Sequence, residues 1–250
     1  MSNAIVSKKT KFFWGVSGIA DTFMTYGMAS LIMPIFNLGY GIDAVLLGYI
    51  LFIPRVIDAF TDPIVGSWSD NLRSRWGRRR PFIFVGALVA SIIFPLIWLP
   101  PFETETLIIV WFTFFMILKS LSYTLFAIPC AAMGYEFTND YNEKTRIMRW
   151  RLVLSVFAGF SVQWLYKLLV HPVFGGSELD GIKFIGPIVG LIVFVTGVSP
   201  ALFCKELIQV QSQKPIKLKE AFLMTLKNRS FTILMIGYMT VSYTHLTLPT

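Results

Sequence analysis

Charge is scarce in this chain. Of 250 residues, 22 are basic and 14 acidic, a charged share of 14%, where a soluble domain carries about a quarter. Hydrophobic residues make up 55% and the mean hydropathy is +0.65. So little polar cover excludes a soluble globular domain, because the apolar side chains have no core large enough to hide in. Cysteine is scarcer still. Cys130 and Cys204 both lie in apolar runs, which excludes a disulfide-stapled secreted domain. The only two histidines, His171 and His245, fall outside metal-ligand spacing. No Walker loop or GxSxG elbow is present either, so catalysis and a resident cofactor are not expected. There is no secretory signal, since the first apolar stretch is too long and carries Asp21. No short tandem repeat is visible.

Long apolar runs fill the space that is left. A helix needs about 20 mainly apolar residues to cross the hydrocarbon layer. Six stretches qualify, at Phe12–Asn37, Ala44–Ser69, Pro81–Leu99, Thr106–Tyr135, Leu152–Val173 and Phe184–Cys204. A seventh starts at Phe231 and loses its pattern after Val241. The expectation is an all-α polytopic transmembrane bundle. Residues 1–204 form an amino-terminal six-helix unit, 205–230 a cytoplasmic central loop, and 231–250 an incomplete helix 7. Its tail, Ser242–Thr250, reads as a truncated or artefactual end. In the central loop Leu218, Phe222 and Leu226 recur every four residues. That suits a short amphipathic helix on the lipid surface, with a solvated linker as the alternative.

Eighteen of the 22 basic residues fall before helix 1 or after helices 2, 4 and 6. The opposite loops hold Asp43, Glu103, Glu105, Glu178 and Asp180, with Lys183 their only basic residue. This asymmetry predicts a multi-pass inner-membrane protein with its amino terminus in the cytoplasm. The net charge of +8 is then a topology signal, and no nucleic-acid partner is implied.

Charges inside the spans carry the function, because each costs at least about 2.5–3.5 kcal/mol at mid-bilayer. They are Asp21, Arg55, Asp58, Asp62, Lys119 and Lys167. Asp58 and Asp62 lie at i and i+4 on one helix face, with Arg55 one turn earlier. Two carboxylates about 6 Å apart repel in a low dielectric, so one takes a proton or a cation sits between them. Hard cations such as Na⁺ prefer oxygen ligands, which Asp58, Asp62 and the Thr61 hydroxyl supply. The alternative is a structural ion pair of Arg55 with Asp58, although one arginine cannot neutralise two aspartates. Asp21 either meets substrate or pairs with Lys119 or Lys167. Both lysines could instead snorkel to an interface. Most aromatics, Trp14 among them, read as interface belts and packing.

The stretch from Asp58 through Thr61-Asp62-Pro63 and Gly66 to Asp70, running into Arg73-Ser-Arg75-Trp-Gly77-Arg78-Arg79-Arg80-Pro81-Phe82, resembles the helix 2–3 signature of the glycoside–pentoside–hexuronide:cation symporters of the major facilitator superfamily. Tyr123-Thr124-Leu-Phe-Ala127-Ile-Pro129 on helix 4 and Ser155-Val-Phe-Ala158-Gly159-Phe160 on helix 5 resemble it more weakly. The resemblance implies a twelve-helix carrier of two six-helix halves that alternates access around a central site. It implies that Asp58, Thr61, Asp62 and Thr124 bind the coupling ion, Na⁺ or H⁺, and that Asp21 and Arg151 bind sugar. Gly66, Asp70, Gly77, Arg78 and Arg79 match a loop 2–3 motif that stabilises one conformational state. Ala127 and Ala131 stand where melibiose permease has a sugar-binding acid and a tryptophan, which argues against a melibiose-like galactoside and leaves the sugar open. The partners implied are a sugar or glycoside, membrane lipid and the missing carboxy-terminal half. A facilitator of a non-sugar solute, such as a lysophospholipid or drug, and a non-transporting membrane half-protein are the alternatives.

Overall fold

Four of the helices begin at a side chain built to start one. Ser7 accepts the Thr10 N–H, Asp43 those of Val45 and Leu46, Asp140 that of Glu143 and Ser177 that of Asp180. Each satisfies a backbone donor that the first helical turn leaves unpaired. The computed structural model describes residues 6–206, 225 and 227–247, with side chains through Thr240. The six helices of the first unit are α1 (Lys8–Gly39), α2 (Ala44–Asn71), α3 (Arg80–Ile97), α4 (Glu105–Glu136), α5 (Tyr141–Gln163) and α6 (Glu178–Phe203). In α1 the winding loosens to π-helix at Phe23–Gly27 and again at Met33–Gly39, which contains Pro34. A π-turn is the usual way a helix absorbs an interruption in its hydrogen-bond ladder, and such turns gather at functional sites.

Among the described residues, five helices, α1 to α4 and α6, are long and apolar enough to cross a membrane. The fifth expected span, Leu152–Val173, departs from that. Helix α5 starts at Tyr141 and ends at Gln163, with a further turn at Leu165–Leu169 and a short 3-10 turn at Pro172–Phe174. Glu143, Lys144, Arg146, Arg149 and Arg151 fill its first half, so composition keeps it from qualifying. Hydropathy finds apolar sequence, whereas Asp140 sets where this helix begins.

Helix α3 packs between α4 and α6, α1 between α5 and α6, and α2 chiefly against α4. The six helices thus run in space as α2, α4, α3, α6, α1, α5. Small residues permit the closest approaches. A Cβ on Gly18 of α1 would lie 2.4 Å from Ser155 Oγ and 2.9 Å from the Arg151 side chain on α5. One on Gly134 of α4 would strike the Trp14 ring. Trp14 is fully buried and its indole donates to the Cys130 carbonyl at 2.9 Å, tying α1 to α4. The α2 and α5 faces remain rich in exposed apolar side chains such as Tyr49, Phe52, Phe60, Leu152, Phe157 and Phe160.

The second unit holds α7 (Arg229–Thr247), which stays helical past Val241, where the apolar pattern breaks. The expected amphipathic helix around Leu218, Phe222 and Leu226 lies outside the described residues.

Candidate functional site

Helices α1, α2, α4 and α5 enclose a cavity of about 530 Å³. Into it project Asp21 from α1, Arg55, Asp58 and Asp62 from α2, Tyr123 and Thr124 from α4, and Arg151 from α5. Ala127 and Ala131 of α4 line the same space and leave it wide.

Each acid is held by a neighbouring helix. The Ser120 hydroxyl donates to Asp58 Oδ1 at 2.5 Å, and the Thr124 hydroxyl donates to Asp62 Oδ1 at 2.9 Å. Ser120 and Thr124 are one turn apart on α4, as Asp58 and Asp62 are on α2, so two hydroxyls face two carboxylates in register. Among the described residues neither aspartate has an ion-pair partner. The structural pairing of Arg55 with Asp58 is therefore not formed. Pro63, directly after Asp62, has no N–H to give the Ala59 carbonyl four residues back, and Ala59 also lines the cavity. The donor set is all oxygen, which suits a hard cation. Thr61 is placed differently. Its hydroxyl is buried without a hydrogen-bond partner among the described residues, and it does not line this cavity. No cluster of three His, Cys, Asp or Glu side chains fit for a metal occurs among the described residues.

Asp21 is engaged by Arg151, whose Nη2 lies 3.1 Å from Oδ2, and by the Tyr123 hydroxyl, which donates to Oδ1 at 2.7 Å. Lys119 and Lys167, the sequence-based partners, make no ion pair with it. Lys119 stands over the Tyr123 ring at 5.1 Å, facing inward rather than snorkelling. Lys167 is exposed and lies over the Trp164 ring. Arg151 rests on the face of Trp14, 5.1 Å from the ring centre. The tryptophan read as packing is thus the floor under a cavity arginine. Ser120 and Tyr123 also escaped the sequence reading as site residues. Their signal is the α4 stripe Ser120, Thr124, Ala127, Ala131, small or polar at helical spacing in a greasy helix.

A second charged cluster lies at the end of the bundle that carries the α2–α3 loop. Arg79 binds Asp70 Oδ1 through Nε at 3.1 Å and Nη2 at 2.6 Å, and Arg78 grips both oxygens of Glu136 at 2.8 and 3.0 Å. Arg79 also reaches Glu136 at 2.8 Å. Glu206, just after α6, accepts the backbone N–H groups of Arg78, Arg79 and Arg80 at 2.9, 2.8 and 3.1 Å. It caps α3 from outside that helix. In return Arg80 donates to the Ala201 and Leu202 carbonyls at the end of α6. Gly77 has φ +114°, and a Cβ there would sit 2.8 Å from Glu206 Oε1, so only glycine fits. Gly66 meets no comparable crowding, its virtual Cβ finding only Ile128 at 3.7 Å. Glu136 and Glu206 had no signal in the sequence reading. Nearby, Lys11 of α1 pairs with Glu143 of α5 at 2.5 Å, and both are buried.

Residues 13–248 match the family described as MFS/sugar transport protein. An uncharacterized symporter of Synechocystis sp. is 32% identical over 182 residues, 70% of this chain and 32% of that protein. The inner membrane symporter YicJ of Escherichia coli is 28% identical, over 73% of this chain and 40% of its own length. The isoprimeverose transporter of Lactiplantibacillus pentosus is 24% identical, over 84% and 44%. The chain thus spans from 32% to 44% of the length of these curated relatives.

Proposed function

This chain belongs to the MFS/sugar transport protein family, among its glycoside–pentoside–hexuronide:cation symporters, and from that premise we propose that it forms the amino-terminal half of a carrier moving a sugar or glycoside together with Na⁺ or H⁺. Members of this family are transporters rather than enzymes. The reading is carried by one observation: Asp58 and Asp62 share a cavity with the Asp21–Arg151 pair, each hydrogen-bonded by an α4 hydroxyl and neither neutralised by a base.

In this mechanism Asp58, Asp62 and Thr124 hold the ion, while Thr61, whose hydroxyl lies outside the cavity, is not among the ligands. Unloaded, the two carboxylates repel across a poorly solvated gap. A bound cation or proton removes that repulsion and stabilises the arrangement of α2 against α4. A sugar hydroxyl then replaces part of the Asp21–Arg151–Tyr123 network. Each ligand favours the state that the other prefers, so the two bind cooperatively and in either order. Residues 1–204 supply this half of the site, 205–230 connect it to a second six-helix half, and 231–250 open helix 7. The carrier sits in the inner membrane in contact with lipid, with the amino terminus and the loop of Gly66, Asp70, Gly77, Arg78 and Arg79 on the cytoplasmic side. There the loop stabilises one access state.

The test is sugar-evoked cation movement by the complete carrier in inverted vesicles, read with pH and Na⁺ probes over a panel of sugars. The expected result is a signal with wild type that Asp62→Asn abolishes while insertion is unchanged. Cation-driven accumulation that persists in Asp62→Asn overturns the coupling site, and silence across the panel with inserted protein overturns the sugar.

A further inference from the structure

Beside the cavity just described lies another, of about 330 Å³, and the two share Arg55, Asp58 and Tyr123 as their common wall. Its remaining lining is largely apolar, with Met28, Met33, Leu51 and Met116, but Lys119 projects into it next to Arg55. Neither cation has a carboxylate within 4 Å among the described residues. Lys119 leans only on the Tyr123 ring. The nearest acids are already engaged, Asp21 by Arg151 and Tyr123, and Asp58 by Ser120.

The charges add to the argument. Around the joined cavities stand three acids, Asp21, Asp58 and Asp62, and three bases, Arg55, Lys119 and Arg151. The set is balanced until the coupling ion arrives. A Na⁺ or a proton on the Asp58/Asp62 pair leaves one positive charge in excess among these six groups. An acidic group on the solute restores the balance of these six groups.

We propose that the second cavity is an anion subsite, in which Lys119 and Arg55 bind the acidic group of the transported solute and the methionine-lined wall takes its apolar part. The inference rests on the carrier reading above and sharpens it, since the bound cation creates the charge that the acidic group neutralises. Both a carboxylated sugar and a phosphate-bearing amphiphile offer this chemistry.

The experiment measures equilibrium binding to the complete carrier with three probes in saturating Na⁺ at acidic pH, so that either coupling ion is present. The probes are 4-nitrophenyl β-glucuronide, 4-nitrophenyl β-glucoside and a lysophosphatidate. Wild type is expected to hold the glucuronide about thirtyfold tighter than the glucoside, the size of effect seen when a buried charge pair loses a partner. Lys119→Gln erases that preference without weakening glucoside binding, Arg55→Gln lowers glucuronide binding further than glucoside binding, and Lys119→Arg restores the preference. Size-exclusion profiles show that the variants remain folded. Equal binding of the two sugars in wild type, or a preference that survives both glutamine variants, overturns the subsite and leaves the sugar reading intact. Lysophosphatidate binding that depends on Lys119, with no sugar bound, supports the subsite and overturns the sugar. Failure of all three probes to bind in a Lys119-dependent way overturns the subsite.

Discussion

Two charged clusters in one bundle are built on opposite plans. At the end carrying the α2–α3 loop, Asp70, Glu136 and Glu206 are each gripped by arginine side chains or by the exposed start of a helix. Between α1, α2, α4 and α5, among the described residues, Asp58 and Asp62 have only hydroxyl partners, while Arg55 and Lys119 have no carboxylate within 4 Å. The first cluster satisfies itself and so holds shape. The second leaves opposite charges near one another and unjoined, which is stable only if something else completes it. The difference separates groups that hold the fold from groups that await a ligand, and it does so without reference to any relative.

The contrast predicts that the two clusters fail in different ways. The largest effect is expected from Asp62→Asn, which removes a ligand and costs little structure. Cation-driven accumulation should fall about a hundredfold, the upper range of ligand coupling energies, with the thermal midpoint of the purified carrier unchanged. A drop in both would break the distinction. Arg79→Gln should do the reverse. Losing its charge-assisted hydrogen bonds to Asp70 and its ion pair with Glu136 should cost about 2 kcal/mol of stability, seen as a lower thermal midpoint with the ion-to-sugar ratio preserved. Gly77→Ala places a side chain at φ +114° and against Glu206, for about 1–2 kcal/mol of the same kind of loss.

The smallest effect concerns pH. The Glu143 carboxyl is held below its ordinary value of 4.5, first by its hydrogen bond from the Lys11 ammonium and further by the Val6 N–H. A carboxyl lowered by folding stabilises fully above its ordinary range and loses that contribution as pH falls through the depressed value. The midpoint should therefore fall only below about pH 4.5, and Lys11→Met should flatten that part of the profile.

How much of this was legible beforehand depends on the range of each interaction. Helix positions were readable because apolar runs and caps are local, and α5 was misjudged where charge interrupts the run. The Asp58/Asp62 spacing was readable because i and i+4 lie on one helix. Which residues answer them was not, since Ser120 and Asp58 are 62 positions apart and only packing brings α4 to α2. Family resemblance supplied Thr124 and the Arg151 position. Thr61, read as a ligand from its neighbourhood to the two acids and from the resemblance alike, has its hydroxyl outside the cavity they share. Glu206 was invisible for a further reason: its ligands are backbone N–H groups, which no side-chain pattern announces.

The exchange between Glu206 and Arg80 has a mechanical consequence. Glu206, at the end of α6, closes the first turn of α3, and Arg80, at the start of α3, closes the last turn of α6. Sliding either helix along the other would open both terminations at once. Helices α3 and α6 are therefore clasped at this end, so any working cycle moves the two together and leaves relative displacement to the helices that line the cavity, α1, α2, α4 and α5.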